Sequence, residues 1–171
     1  MIELEKFYIF FDIDGVLNSA NWDEESFPID LNCLKNFADT VNFFRKKYDV
    51  HLIMSSSWRD GFDLKNGHSE DVAAILKKMQ KFNLEVEDKT PFFIEKNRAD
   101  EINFYIVEKN LQEKKCLAID DTKHLFSSEK FFKLYITDAK IGFSRKDFEF
   151  LTGVNLNIFL RVKRFLQGYN F

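Results

Sequence analysis

An uninterrupted apolar run that ends on two acids constrains this chain most. Phe7, Tyr8, Ile9, Phe10 and Phe11 are followed by Asp12, Ile13, Asp14 and Gly15, and then by Val16 and Leu17. Phe, Tyr and Ile favour an extended backbone. A run with so little polar alternation reads as a strand covered on both faces, as in a parallel sheet. The two carboxylates then stand at the carboxyl end of a central strand, where open α/β sheets bind their ligands. Gly15 lets the backbone turn just beyond them and brings peptide N–H groups toward the same point. Two acids this close repel, and a divalent cation held by oxygen ligands is the natural compensation. The plainer alternative is a capped turn in which Asp12 and Asp14 bond only their own backbone.

The remainder alternates strand and helix. A polar loop, Asn18 to Pro28, leads to Asp30 as the cap of a helix over Leu31 to Tyr48, with Leu34, Phe37, Val41 and Phe44 at helical spacing. Val50 to Met54 is a second strand, running into Ser55, Ser56, Ser57, Trp58 and Arg59. Ser69 caps a helix reaching Phe82, and Leu84 to Val86 is a weak third strand. Ala99 to Leu111 is helical, with Ile102, Tyr105, Ile106 and Val107 inward. Lys115 to Ile119 is a fourth strand ending in Asp120 and Asp121, followed by a short helix near Thr122 to Glu129. Phe132 to Thr137 is a fifth strand, Ser144 opens a short helix, and Asn155 to Gln167 forms the last one, closed by Gly168. This alternation predicts an α/β fold: a three-layer, doubly wound parallel sheet of about five strands, in one domain over residues 1–171.

Bulk properties narrow the function classes. At 171 residues, with 45% apolar and 31% charged residues, the chain is long enough for a real core. The 21 phenylalanines supply much of that core volume. A net charge of -3 lacks the basic footprint that announces a nucleic-acid partner. The basic group Arg161, Lys163 and Arg164 reads as a solvated helix face. Cys33 and Cys116 lie far apart without metal-type spacing, which fits free thiols in a reducing compartment. Glu3, Glu5 and Lys6 interrupt any leader-like start, and no apolar run approaches a membrane span, so the expected compartment is the cytoplasm.

Three strand ends carry polar residues: Asp12 and Asp14, the serines, and Asp120 and Asp121. In a parallel sheet all three point to one edge. Four converging carboxylates call for a hard cation, and Mg²⁺ is the commonest fit. A strand-end serine can hydrogen-bond an anionic oxygen, and Lys96 or Arg98 can reach the same anion. Acids, metal, hydroxyl and cation together describe a phosphoryl site. His51, His68 and His124 share no ligand spacing and read as structural or exposed.

The pattern resembles the haloacid dehalogenase (HAD) superfamily of aspartyl-phosphate phosphohydrolases. FDIDGVL matches its first motif, the strand-end serine of LIMSSSWR its second, Lys96 or Arg98 its third, and AIDD its fourth. SSSWR, RADEI and TDAKIGFSRKDFEFL also look similar to the compact HAD domains of bacterial RNA-repair (Swiss Army Knife) proteins. The resemblance implies Asp12 as nucleophile and Asp14 as general acid and base, with the Asp14 backbone carbonyl on Mg²⁺. It implies Asp12, Asp120 and Asp121 as further metal ligands, and Ser56, with Ser55 as rival, as a phosphate ligand. Arg98 lies four residues before Ile102, the spacing the family shows for its basic residue, with Lys96 as rival; the family usually carries Lys in this role. Asn18, Trp22, Trp58 and Arg59 are expected at the substrate entrance.

HAD enzymes commonly insert a cap that selects the substrate. Neither Asn18 to Asp49 nor Arg59 to Asn97 has room for one, so the site is expected to be open, which suits polynucleotide ends, phosphoproteins or a partner-completed lid. The leading expectation is a Mg²⁺-dependent phosphomonoesterase acting on a phosphorylated substrate. The alternatives are a polynucleotide-end phosphatase, a receiver-like signalling domain and an inactive HAD scaffold that binds. A receiver places its acid pair on strand one and its phosphorylated Asp on strand three; acids on strands one and four argue against it.

Overall fold

The computed structural model describes residues 3–20 and 28–154. Trp22, the basic group Arg161, Lys163 and Arg164, and the helix expected over Asn155 to Gln167 with its closing Gly168 lie outside them. Five strands form one all-parallel sheet: β1 (Glu5–Phe11), β2 (Tyr48–Met54), β3 (Val86–Lys89), β4 (Lys115–Asp120) and β5 (Lys133–Ile136), in the order β3-β2-β1-β4-β5. The connecting helices are α1 (Leu31–Arg45), α2 (Glu70–Gln80), α3 (Arg98–Glu108) and α4 (Arg145–Thr152).

The apolar run of β1 takes the centre because it is the one segment with no polar face. Phe7 to Phe11 are all buried, and alternate residues enter opposite cores. Phe7, Ile9 and Phe11 pack with α1, α2 and α4, through residues such as Phe37, Val41, Ile75, Met79 and Phe148. Tyr8 and Phe10 pack with Ala99, Ile102, Tyr105 and Ile106 of α3 and with Phe126 and Phe132. The result is the three-layer sandwich that the strand-helix alternation requires.

The helices begin where their capping residues stand. Asp30 accepts from the Asn32 and Cys33 amides, Ser69 from Val72 and Asn97 from Asp100, and Ser144 with Asp147 closes a capping box on α4. Three expectations are corrected. The helix expected near Thr122 to Glu129 is only a 3₁₀ turn, Lys123–Leu125; the segment has no apolar stripe to bury, and Asp120 caps the Thr122 amide instead. The third strand starts later, at Val86, and includes Glu87, Asp88 and Lys89, charges that an edge strand tolerates. Val107 faces outward, 47% exposed.

The strand order changes direction between β1 and β4, whose neighbouring residues Phe11 and Ile119 are paired. That switch point is where a parallel sheet opens a crevice at its carboxyl edge. Pairing runs one residue past the strands there: Asp12 donates its amide to Ile119, Ser55 to Phe11 and Thr137 to Asp120. The ends of β1, β2, β4 and β5 are thereby fixed against one another. Between β2 and α3 the chain holds only a 3₁₀ turn, α2 and β3, so no inserted domain is built from this stretch. Among the described residues no helix is long and apolar enough to cross a membrane.

Candidate active site

The crevice is acidic at its floor. Asp12 ends β1 and Asp120 ends β4, both buried, and Asp121 is half-buried beside them. One carboxylate oxygen from each of Asp12, Asp120 and Asp121 can be chosen so that all lie within 4.8 Å of one another. Such an all-oxygen donor set fits a hard divalent cation.

Arg98 opens α3 and reaches into this group. Its Nη1 donates to Asp12 Oδ2 at 2.5 Å and to Asp120 Oδ2 at 2.7 Å. Lys96 lies exposed on the turn before the helix, so of the two candidate cations Arg98 is the one seated among the acids. Asp12 Oδ1 accepts from the Ile13 amide, which leaves Oδ2 facing Asp120 and Arg98. Burial pushes the Asp12 carboxyl above the ordinary carboxylate range, against the pull of Arg98. Burial, then repulsion from Asp12, pushes Asp120 up to about 7. Burial also opposes the charge on Arg98, yet the two carboxylates outweigh it and its pKa rises. One guanidinium among three acids leaves the floor short of positive charge, so the donor set and its electrostatics both suit a bound cation.

The turn after β1 is set by Gly15 (φ +67°), whose amide donates to Asn18 Oδ1 and whose carbonyl accepts from the Thr137 hydroxyl. A Cβ on Gly15 would stand 2.3 Å from Asp121 Oδ2, so only glycine lets the acid just past β4 close on the loop. Asp14 is exposed and is not one of the three grouped acids. Its two oxygens are taken separately: Asn18 Nδ2 donates to Oδ1 and Trp58 Nε1 to Oδ2, each at 2.9 Å.

Ser55 and Ser56 follow β2 at the same edge, both buried. The Ser56 side chain is close enough to Asp12 to favour its charged form, and its Oγ accepts from the Trp58 amide. Ser55 Oγ is buried with no hydrogen-bond partner among the described residues. Of the four residues expected at the entrance, Trp58 is half-buried with its indole on Asp14, and two are corrected. Asn18 is buried and braces Asp14 and Gly15 from within. Arg59 is 4% exposed and turns inward, donating from Nη2 to Glu101 Oε2 at 2.8 Å.

Glu101 and Thr137 escaped the sequence reading. Thr137 gave no signal beyond closing the fifth strand. Glu101 gave a faint one: an acid three residues after Arg98 and next to Ile102, on the arc of α3 that packs inward.

Residues 8–148 match the family model described as the HAD domain in Swiss Army Knife RNA repair proteins. Every site residue named above that the structure describes falls inside that match. A search of curated proteins found none that matches the chain.

Proposed function

The chain belongs to the family of HAD domains found in Swiss Army Knife RNA repair proteins, and on that premise we propose that it is a Mg²⁺-dependent phosphomonoesterase working through an aspartyl-phosphate. The observation that carries the reading is the position of Asp12: it ends the central strand with one oxygen tied to its own backbone and the other turned toward Asp120 and Arg98.

In this reading Asp12 Oδ2 attacks phosphorus, and the bond from phosphorus to the leaving oxygen breaks. Asp14 gives that oxygen its proton. Water then attacks the aspartyl-phosphate, passes its proton to Asp14, and inorganic phosphate leaves with Asp12 restored. Asp12, Asp120 and Asp121, with the Asp14 backbone carbonyl, would hold Mg²⁺, which supplies charge neutralisation to the phosphoryl oxygens when bound. Arg98 offsets part of the charge of the buried acids and presents a cation to the same anion. Ser56, beside Asp12, is the better placed hydroxyl for a phosphate oxygen; Ser55, with its unpartnered Oγ, is the second.

Turnover of an aryl phosphate with and without Mg²⁺, alongside Asp12→Asn, tests the mechanism. Metal-dependent hydrolysis abolished in Asp12→Asn is expected. Hydrolysis that survives in Asp12→Asn overturns it.

The family description favours a narrower second reading, in which the substrate is a phosphorylated RNA end. The absence of an inserted domain between β2 and α3 is compatible with a polymer entering the crevice. Comparing 3′- and 5′-phosphorylated oligoribonucleotides with small phosphate esters tests it, and equal kcat/KM across all of them rejects it.

A further inference from the structure

We propose that Arg59 and Glu101 form a positioning clamp that fixes the two anion-binding elements of the site, the serine loop and the start of α3, at one spacing; the inference rests on the phosphatase reading above.

Both side chains are buried, at 4% and 3% exposure, and they pair at 2.8 Å. A buried ion pair is weak evidence for stability, because desolvating the charges offsets most of their attraction. Its connections suggest another use. Arg59 Nη1 donates to the Ser56 carbonyl at 3.2 Å, so the guanidinium holds the serine loop from behind. Glu101 stands three residues after Arg98 in α3, and its second oxygen, Oε1, accepts from the Phe93 amide at 3.0 Å. Lys89, at the end of β3, donates to the Arg59 carbonyl at 2.8 Å. The ion pair therefore joins the loop after β2, the loop after β3 and the first turn of α3, and Lys89 ties the end of β3 to the Arg59 backbone. Ser56 and Arg98 are carried by the outer two of these segments, and neither side chain of the clamp hydrogen-bonds Asp12, Asp120 or Asp121. Planarity suits Arg59 to this work: its rigid fork bonds a carboxylate and a carbonyl from two separate nitrogens, a spacing that a single ammonium nitrogen does not reproduce.

The test replaces the pair by apolar residues of similar size, Arg59→Met with Glu101→Leu, a change that buried ion pairs commonly tolerate. Affinity for inorganic phosphate in the presence of Mg²⁺ is measured by calorimetry, kcat and KM on an aryl phosphate are measured separately, and the melting temperature reports folding. A folded double variant is expected to bind phosphate at least tenfold more weakly and to lose roughly ten- to hundredfold in kcat, the scale on which small displacements of positioned groups act. Wild-type phosphate affinity and kcat in the folded double variant overturn the clamp. Arg59→Lys, which keeps the charge opposite Glu101 but not the bond to Ser56, serves if the double variant does not fold; a severalfold loss of phosphate affinity supports the clamp and no loss overturns it. A wild-type protein that neither binds phosphate nor turns over the ester overturns the phosphatase reading and the clamp with it, an outcome distinct from equal binding by wild type and variant.

Discussion

Asp12 and Asp120, the terminal acids of two neighbouring strands, share a single nitrogen of Arg98. Their charges are therefore offset in part by one side chain from a different layer of the fold. Removing it in Arg98→Ala leaves two buried carboxylates facing each other, and breaking a buried pair this way costs about 3–5 kcal/mol. Urea unfolding is expected to show that loss without metal and a clearly smaller loss in millimolar Mg²⁺. A loss that Mg²⁺ leaves unchanged counts against the acids as a cation site.

Gly15→Ala tests the approach of Asp121 to the first loop. A left-handed conformation costs a non-glycine residue about 1–2 kcal/mol, and here the new methyl also meets the Asp121 carboxylate. For a chain of this size about 2 kcal/mol lowers the melting temperature by roughly 4–8 °C. The Mg²⁺ concentration giving half-maximal thermal stabilisation is expected to rise as well. An unchanged Mg²⁺ response removes Asp121 from the ligand set.

Trp58→Phe removes the indole donor to Asp14 while keeping an aromatic body in place. The expected result is a melting temperature near that of the wild type and a kcat about tenfold lower, a fraction of what a general acid or base contributes. The loss should be larger for alkyl phosphates than for nitrophenyl phosphate, because the poorer leaving group depends more on a well-oriented proton donor. Equal losses on both esters detach Trp58 from the chemistry of Asp14.

Alkaline pH is expected to destabilise the protein through its thiols. Burial pushes Cys116 up to about 12, and burial with the nearby Asp30 carboxylate does the same for Cys33. A folded-state pKa above the unfolded value of about 8.5 gives stability that is complete below that value and is lost as pH rises toward 12. Unfolding free energy measured by urea between pH 8 and pH 10.5 should fall, and fall less in Cys116→Ala. Iodoacetamide at pH 8.5 should label the native thiols far more slowly than the urea-unfolded ones. Rapid native labelling contradicts the burial of both.

Much of the floor of the site was legible in the sequence because strand ends are marked by abrupt changes of polarity. Phe11 to Asp12 and Ile119 to Asp120 are such changes, and parallel pairing makes them neighbours. The choice between Lys96 and Arg98 was not legible, since both precede the same helix. The structure separates them because Asn97 caps α3 and leaves Arg98 as its first helical residue. Arg59 read as a residue of the substrate entrance because nothing in its neighbourhood announces Glu101, which is distant in sequence and meets it only once α3 is packed. The expected helix after Asp121 failed for a local reason: Asp120 and Asp121 engage the Thr122 amide and hydroxyl, and no apolar stripe extends the turn.

The strand order has a consequence for synthesis on the ribosome. β1 is made first, but its second neighbour, β4, begins only at Lys115. Until then the most apolar strand of the protein has a bare edge, the kind of surface along which partly made chains aggregate. The same late strand brings Asp120 and Asp121 to Asp12. Protection from aggregation and completion of the acid group therefore arrive in one event, and a chain stopped before β4 is at once sticky and without two of its three grouped acids.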